Sequence, residues 1–142
     1  MSTSNAVATW EGKLKEGKGN FKGQSGAFSG AFSFGTRFED KKGSNPEELI
    51  AAAHAGCFSM AFAGQLGRAG FPAESIKTTA KVHLQKLEPG FTITKIELIT
   101  RGKVPGIDAA TFQEKAEAAK KGCPISRALN PSIELVLDAK LE

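Results

Sequence analysis

The 142-residue sequence predicts an α+β fold, with helices set against antiparallel sheet, and three observations predict it. A glycine-rich opening broken by phenylalanines gives way to a long apolar helix, an alternating hairpin follows, and a second helix leads into a last stretch of strict alternation. The order is strands, helix, hairpin, helix, strand. With 40% hydrophobic residues this length supports one core, so residues 1–142 are expected to form a single domain with one site.

Between Gly12 and Gly35 the glycines alternate with Phe21, Phe28, Phe32 and Phe34, a pattern of short strands and tight turns. Ser44-Asn45-Pro46-Glu47-Glu48 then opens a helix. Proline suits the first helical position, Asn45 the cap, and Glu48 completes a capping-box pattern. From Leu49 to Leu66 the residues are small or apolar nearly all round, and a helix with no polar face is expected to be a buried, central one. Gly67, Gly70 and Pro72 stop it. Cover on every side is more than so short a chain can supply, and a homodimer packing this helix against a second copy would provide it.

Ala80, Val82 and Leu84 alternate with Lys81, His83 and Gln85, and Glu88-Pro89-Gly90 turns the chain into a second strand from Phe91. There Phe91 and Ile93 hold one parity while Ile96 and Leu98 hold the other, which requires a bulge or burial on both faces. Asp108 caps the next helix, with Phe112, Ala116 and Ala119 on one face and Lys120-Lys121-Gly122 as a cationic last turn and C′ glycine. Pro124 makes Cys123 the N-cap of a short helix through Leu129. Strict alternation from Ile133 to Leu141 predicts a closing strand.

The start lacks a basic segment followed by an apolar one, and no run approaches the roughly 20 apolar residues of a membrane span, so a soluble cytoplasmic protein without a membrane partner is expected. The net charge of +4 comes from lysines scattered among acids, which argues against a nucleic-acid partner. No CxxC or metal-spaced cluster occurs, and Gly17 and Gly19 are not followed by a helix that could cradle phosphate; no metal or cofactor is expected.

In a reducing compartment two cysteines are poorly explained as a permanent staple. Cys57, among alanines and glycine, either fills a gap or reacts. Cys123 at a helix N-terminus either caps it or is held there as a thiolate by unpaired N–H groups and the helix dipole. Together they could cycle between dithiol and disulfide, one attacking and one resolving. Peroxide cleavage needs a thiolate to strike one oxygen while the other leaves as alkoxide, so a cation and a proton source should stand near the sulfur. Arg37 and Glu47 are the candidates, with a solvated arginine and a helix-start acid as the ordinary alternatives. Ten helical residues from Glu47 to Cys57 rise about 15 Å with the side chains roughly 80° apart. If both serve one site, the helix breaks or Glu47 reaches the Cys57 of another chain, held there by a bidentate pair with Arg37. His54, three residues before Cys57, is either a packed core residue or the partner in a Cys–His hydrolase or acyl transferase. His83, on the polar face of a strand, is expected to be solvated.

Thr36-Arg37-Phe38, Asn45-Pro46-Glu47-Glu48-Leu49, His54-Ala55-Gly56-Cys57-Phe58-Ser59-Met60 and Gly122-Cys123-Pro124-Ile125-Ser126 together resemble the OsmC/Ohr family of hydroperoxide reductases, and more closely its OsmC branch. The resemblance runs from Trp10-Glu11-Gly12 to the last strand. It implies an OsmC-like fold and an intertwined homodimer with two interface sites. It also implies a peroxidatic Cys57, a resolving Cys123, and Arg37 and Glu47 holding the thiolate and polarising the peroxide. In that chemistry Cys57 becomes a sulfenic acid, Cys123 condenses with it to a disulfide, and an external dithiol such as dihydrolipoamide resets the pair. Phe34, Phe38, Phe58 and Phe62 could build an apolar pocket for organic hydroperoxides or belong to the core. The rival readings are the Cys57–His54 hydrolase and a non-catalytic dimeric stress protein with inert thiols. Cys123→Ser separates the first rival from the peroxidase: a peroxidase keeps one stoichiometric reaction with peroxide and loses repeated turnover, whereas a hydrolase is unaffected, as peroxide consumption over successive equivalents will read.

Overall fold

A computed structural model describes residues 2–142 as two compact units, one running to Leu49 and the other from Ile50 to Glu142. In the first, strands β1 (Ala6–Glu11), β2 (Lys18–Gly23) and β3 (Ser29–Phe32) form an antiparallel sheet in sequence order. The alternation of glycine and phenylalanine has a packing cause. Gly19 and Phe21 share the buried face of β2, and a Cβ on Gly19 would stand 2.6 Å from the Phe32 ring, so only glycine lets that ring lie across the strand. Phe32 stacks on Phe21 with centroids 4.4 Å apart and meets Trp10 at 5.6 Å.

After β3 comes a helix that the sequence reading did not anticipate, α1 (Phe34–Phe38). Its cap is reciprocal: Thr36 N–H donates to Ser33 Oγ at 3.2 Å, and Ser33 N–H donates to Thr36 Oγ1 at 2.9 Å. Asn45 then caps α2 (Pro46–Arg68), accepting from Glu48 N–H at 2.9 Å, while the Glu48 carboxylate takes the Ser44 hydroxyl instead of closing a capping box.

The second unit is built on β4 (Ser75–Leu87), β5 (Gly90–Lys103) and β6 (Glu134–Leu141). The hairpin register passes from His83↔Lys95 to Leu84↔Ile93, which leaves Thr94 as an extra residue on β5. That bulge accounts for the parity switch before Ile96. Strand β6 pairs with β5 in parallel, from Lys95↔Glu134 to Gly102↔Leu141, so this sheet is mixed where antiparallel sheet was expected. A parallel neighbour needs a long crossover, and α3 (Ala109–Gly122) and α4 (Pro124–Leu129) supply it. Alternation within a strand carries no information about its direction. His83, expected in solvent, pairs with Glu97 across the hairpin and draws that carboxyl below its ordinary range.

Within this unit α2 buries His54, Phe58, Phe62 and Leu66 at four-residue spacing and exposes Ala52, Gly56, Met60, Ala63 and Gly67, with Met60 79% exposed. It is central, but in one copy only a stripe of it is buried, because nothing in this unit covers its outer side. By length and composition α2 also reaches the range of a membrane-crossing helix, contrary to the expectation that no run would. Its inner stripe joins the core, and Ser59 donates to Thr78 of β4 at 2.8 Å.

Phe112 of α3 is the keystone of that core. It is 1% exposed, meets Phe62 edge-on at 5.0 Å, and rests on Gly102, where a Cβ would come within 2.8 Å of the ring. Phe112→Ala is expected to cost about 3–5 kcal/mol, read as a shift in the denaturant midpoint without a change in slope.

Candidate active site

Pro124 sets the geometry of one thiol. Proline disfavours helical backbone in the residue before it, and Cys123 takes φ −63 and ψ 134, ending α3 and capping α4. Gly122 therefore remains inside α3 instead of standing at C′. From the cap, the Cys123 sulfur turns back over the first turn of α4 and accepts the Ser126 N–H at 3.3 Å. It is 0% exposed.

Cys57 reaches the same turn from α2. Its thiol is half-buried and unbonded, interacts with the Ile125 N–H, and lies within hydrogen-bonding reach of Cys123. Burial pushes the Cys57 thiol up from its ordinary value, the Ile125 N–H pulls it down, and the Cys123 thiol pushes it up again. No cation is among these influences. Two reduced thiols thus converge on one helix end, the accessible one held protonated by its surroundings.

His54 does not serve Cys57. Its Nε2 lies 2.8 Å from Ser126 Oγ, which in turn lies 3.3 Å from Cys123 Sγ, so the histidine points along a path to the other cysteine. Burial lowers its pKa. Nothing in this arrangement forms the Cys57–His54 dyad of the hydrolase reading. Ser126, 1% exposed, escaped the sequence reading. The signal was there, since a residue three after an N-cap presents its N–H to the capping atom.

Arg37 and Glu47 meet in the first unit. The guanidinium donates from Nε to both carboxylate oxygens at 3.1 and 3.2 Å and from Nη2 to Oε1 at 2.7 Å. The Arg37 side chain is 36% exposed and that of Glu47 10%. Asn45 aligns them, because while capping α2 it also donates to the Thr36 carbonyl at 3.2 Å. Arg37 lies over the Phe38 ring at 5.2 Å and lines a cleft of about 280 Å³ with Trp10, Leu14, Phe32, Phe34 and Phe38. Of the four phenylalanines suggested for a pocket, Phe34 and Phe38 line this cleft, while Phe58 and Phe62 are core residues at 0% exposure. Trp10 and Leu14 are lining residues that the sequence reading missed. Helix α2 is unbroken from Pro46 to Arg68, which removes the alternative of a helix break between Glu47 and Cys57.

Residues 39–138 match the model of the OsmC family, described as OsmC-like protein. The chain is 52% identical to Peroxiredoxin OsmC of Escherichia coli (strain K12) over 136 residues, covering 95% of this chain and 94% of that protein. It is 34% identical to an organic hydroperoxide resistance protein of Xanthomonas axonopodis pv. citri over 97 residues, covering 67% of this chain and 66% of that one. Among solved structures, an organic hydroperoxide resistance protein from Elizabethkingia anophelis superposes with a TM-score of 0.83 at 27% identity, covering 100% of this chain and 98% of that chain.

The convergence of the thiols is testable without peroxide. Oxidation of the folded protein with diamide should join Cys57 to Cys123 within one chain, a loss of two hydrogens located by peptide mapping under non-reducing conditions; disulfides only between chains would contradict the geometry.

Proposed function

The chain belongs to the OsmC family, and from that premise we propose that it is a cysteine-based peroxidase of organic hydroperoxides and hydrogen peroxide in which Cys57 attacks and Cys123 resolves. The observation that carries this reading is the pairing of one accessible and one buried thiol, both unbonded, at the first turn of α4. The Cys57 thiolate forms an S–O bond, the O–O bond breaks, and the alcohol or water departs. Cys123 then displaces hydroxide from the resulting sulfenic acid, and the disulfide is reduced by an external dithiol, for which dihydrolipoamide is the candidate.

A thiolate is the nucleophile, yet the influences on Cys57 among the described residues raise its pKa on balance and include no cation. The proposal therefore includes a homodimer in which Arg37, aligned by Glu47, is brought to the Cys57 of the other copy. Two features support it. The outer stripe of α2, with Gly56, Met60, Ala63 and Gly67, is apolar and uncovered, and small residues there allow a second helix to approach closely. Arg37 also lines an apolar cleft suited to the organic part of a hydroperoxide.

Arg37→Ala and Glu47→Ala are each expected to slow peroxide reduction by about 100-fold or more while circular dichroism and the denaturant midpoint stay near wild type. Peroxide kinetics unchanged in both variants would remove these residues from the mechanism.

A further inference from the structure

We infer that Ser126 and His54 form the proton path that readies Cys123 for its attack on the Cys57 sulfenic acid, an inference that rests on the peroxidase reading above. Sulfur, hydroxyl and imidazole stand in a row, Sγ to Oγ at 3.3 Å and Oγ to Nε2 at 2.8 Å, and each of the three residues is at most 1% exposed. Bulk water does not reach the Cys123 thiol in this state, so its proton needs an internal acceptor.

The histidine has the features of that acceptor. Its Nδ1 is buried and has no hydrogen-bond partner among the described residues, a cost that packing alone does not justify, because an apolar ring at that position would avoid it. With the Ser126 hydroxyl donating to Nε2, Nδ1 carries the ring proton and Nε2 is open to a second. Burial keeps the resting ring neutral. No carboxylate, lysine or arginine contributes to that effect. The ionisable groups joined to the path are Cys123, through Ser126, and Cys57 beyond it.

The step balances. The Cys123 proton passes to Ser126 Oγ as the serine's own proton passes to His54 Nε2. The thiolate, still held by the Ser126 N–H, supplies the electron pair of the new S–S bond. The S–O bond of the Cys57 sulfenic acid breaks, its own bonding pair leaves on the hydroxide, and the proton taken up by His54 returns through Ser126 to give water. Ser126 touches the reacting sulfur. His54 acts through it and is a positioning residue for the proton.

The test separates the two half-reactions in the full-length protein with cumene hydroperoxide in single turnover. Sulfenic acid is followed by dimedone trapping and disulfide by non-reducing mass analysis, in wild type, His54→Asn and Ser126→Ala. Both variants should form the sulfenic acid within about twofold of the wild-type rate and close the disulfide about tenfold or more slowly, so that trappable sulfenic acid accumulates. In wild type the closure rate should rise with pH through a group titrating below the ordinary histidine range, and that step should vanish in His54→Asn. Wild-type closure rates in both variants, a proportional slowing of both half-reactions, or a pH step that survives in His54→Asn would overturn the path. A wild-type protein that consumes peroxide but never joins Cys57 to Cys123 would overturn the resolving role itself, and the path with it. Ser126→Ala, which removes one oxygen, reads the path should the histidine variant not fold.

Discussion

The site depends on one backbone constraint, the extended conformation that Pro124 forces on Cys123. Residue 122 is still helical, and α3 stops at the residue before the proline, where helical backbone is disfavoured. A cysteine inside a continuing helix would point along the α3 surface, back towards its N-terminus. As a cap it instead folds its sulfur over the first turn of α4, where the free N–H groups of a helix start are found. The same turn holds Cys57 through Ile125. One proline thus ends a helix, starts another and brings two sulfurs separated by 66 positions of sequence to a shared set of donors (123 − 57 = 66).

How much of this was legible in the sequence follows from what each pattern encodes. Caps and turns are local, so Asn45, Asp108 and Cys123 were readable from their neighbours, and each cap formed as expected. The bulge at Thr94 was half legible: the parity change was visible, but register resides in the partner strand. Strand direction was illegible, and β6 proved parallel because the α3–α4 crossover carries the chain back to the starting edge. Helix α1 was hidden by its length, five residues being too few to show a period, although Ser33 and Thr36 carried its capping signature. Residue types made Cys57, Cys123, Arg37 and Glu47 candidates with ordinary alternatives open, and only the family resemblance gave them roles; the two thiols converge within the second unit and the Arg37–Glu47 pair forms within the first. The tie between His54 and Ser126 spans 72 positions, and no sequence pattern records such a contact.

Electrostatics decide which sulfur can start the chemistry and what it still needs. Each pKa unit corresponds to about 1.4 kcal/mol between the two protonation states, and at Cys57 burial is the largest influence, ahead of the one N–H that favours the thiolate. In a single copy the protonated form wins. A guanidinium can reverse that balance, and in the proposed dimer the Arg37–Glu47 pair would present one. Nε and Nη2 are occupied by the carboxylate, which fixes the plane of the group, while Nη1 takes no part in the pair. Arg37 also borders the apolar cleft lined by Trp10, Leu14, Phe32, Phe34 and Phe38. The outer stripe of α2 is apolar and exposed, the kind of surface that the proposed dimer would remove from water.

In the cycle proposed above, the difference in exposure between the two cysteines also constrains the return half. With Cys123 fully buried and Cys57 half-buried, an external dithiol can approach the disulfide only from the Cys57 side. Exchange proceeds by attack on one sulfur with departure of the other. Attack at Cys57 makes Cys123 the leaving sulfur. There the departing charge meets the Ser126 N–H and then the Ser126 hydroxyl, the same groups that line its route to His54. The arrangement that would help Cys123 lose a proton during closure would therefore also receive it as a thiolate when the bond is opened. In the proposed cycle the burial of Cys123 directs the attack to Cys57, and the polar thread through Ser126 gives the buried sulfur a route for its proton.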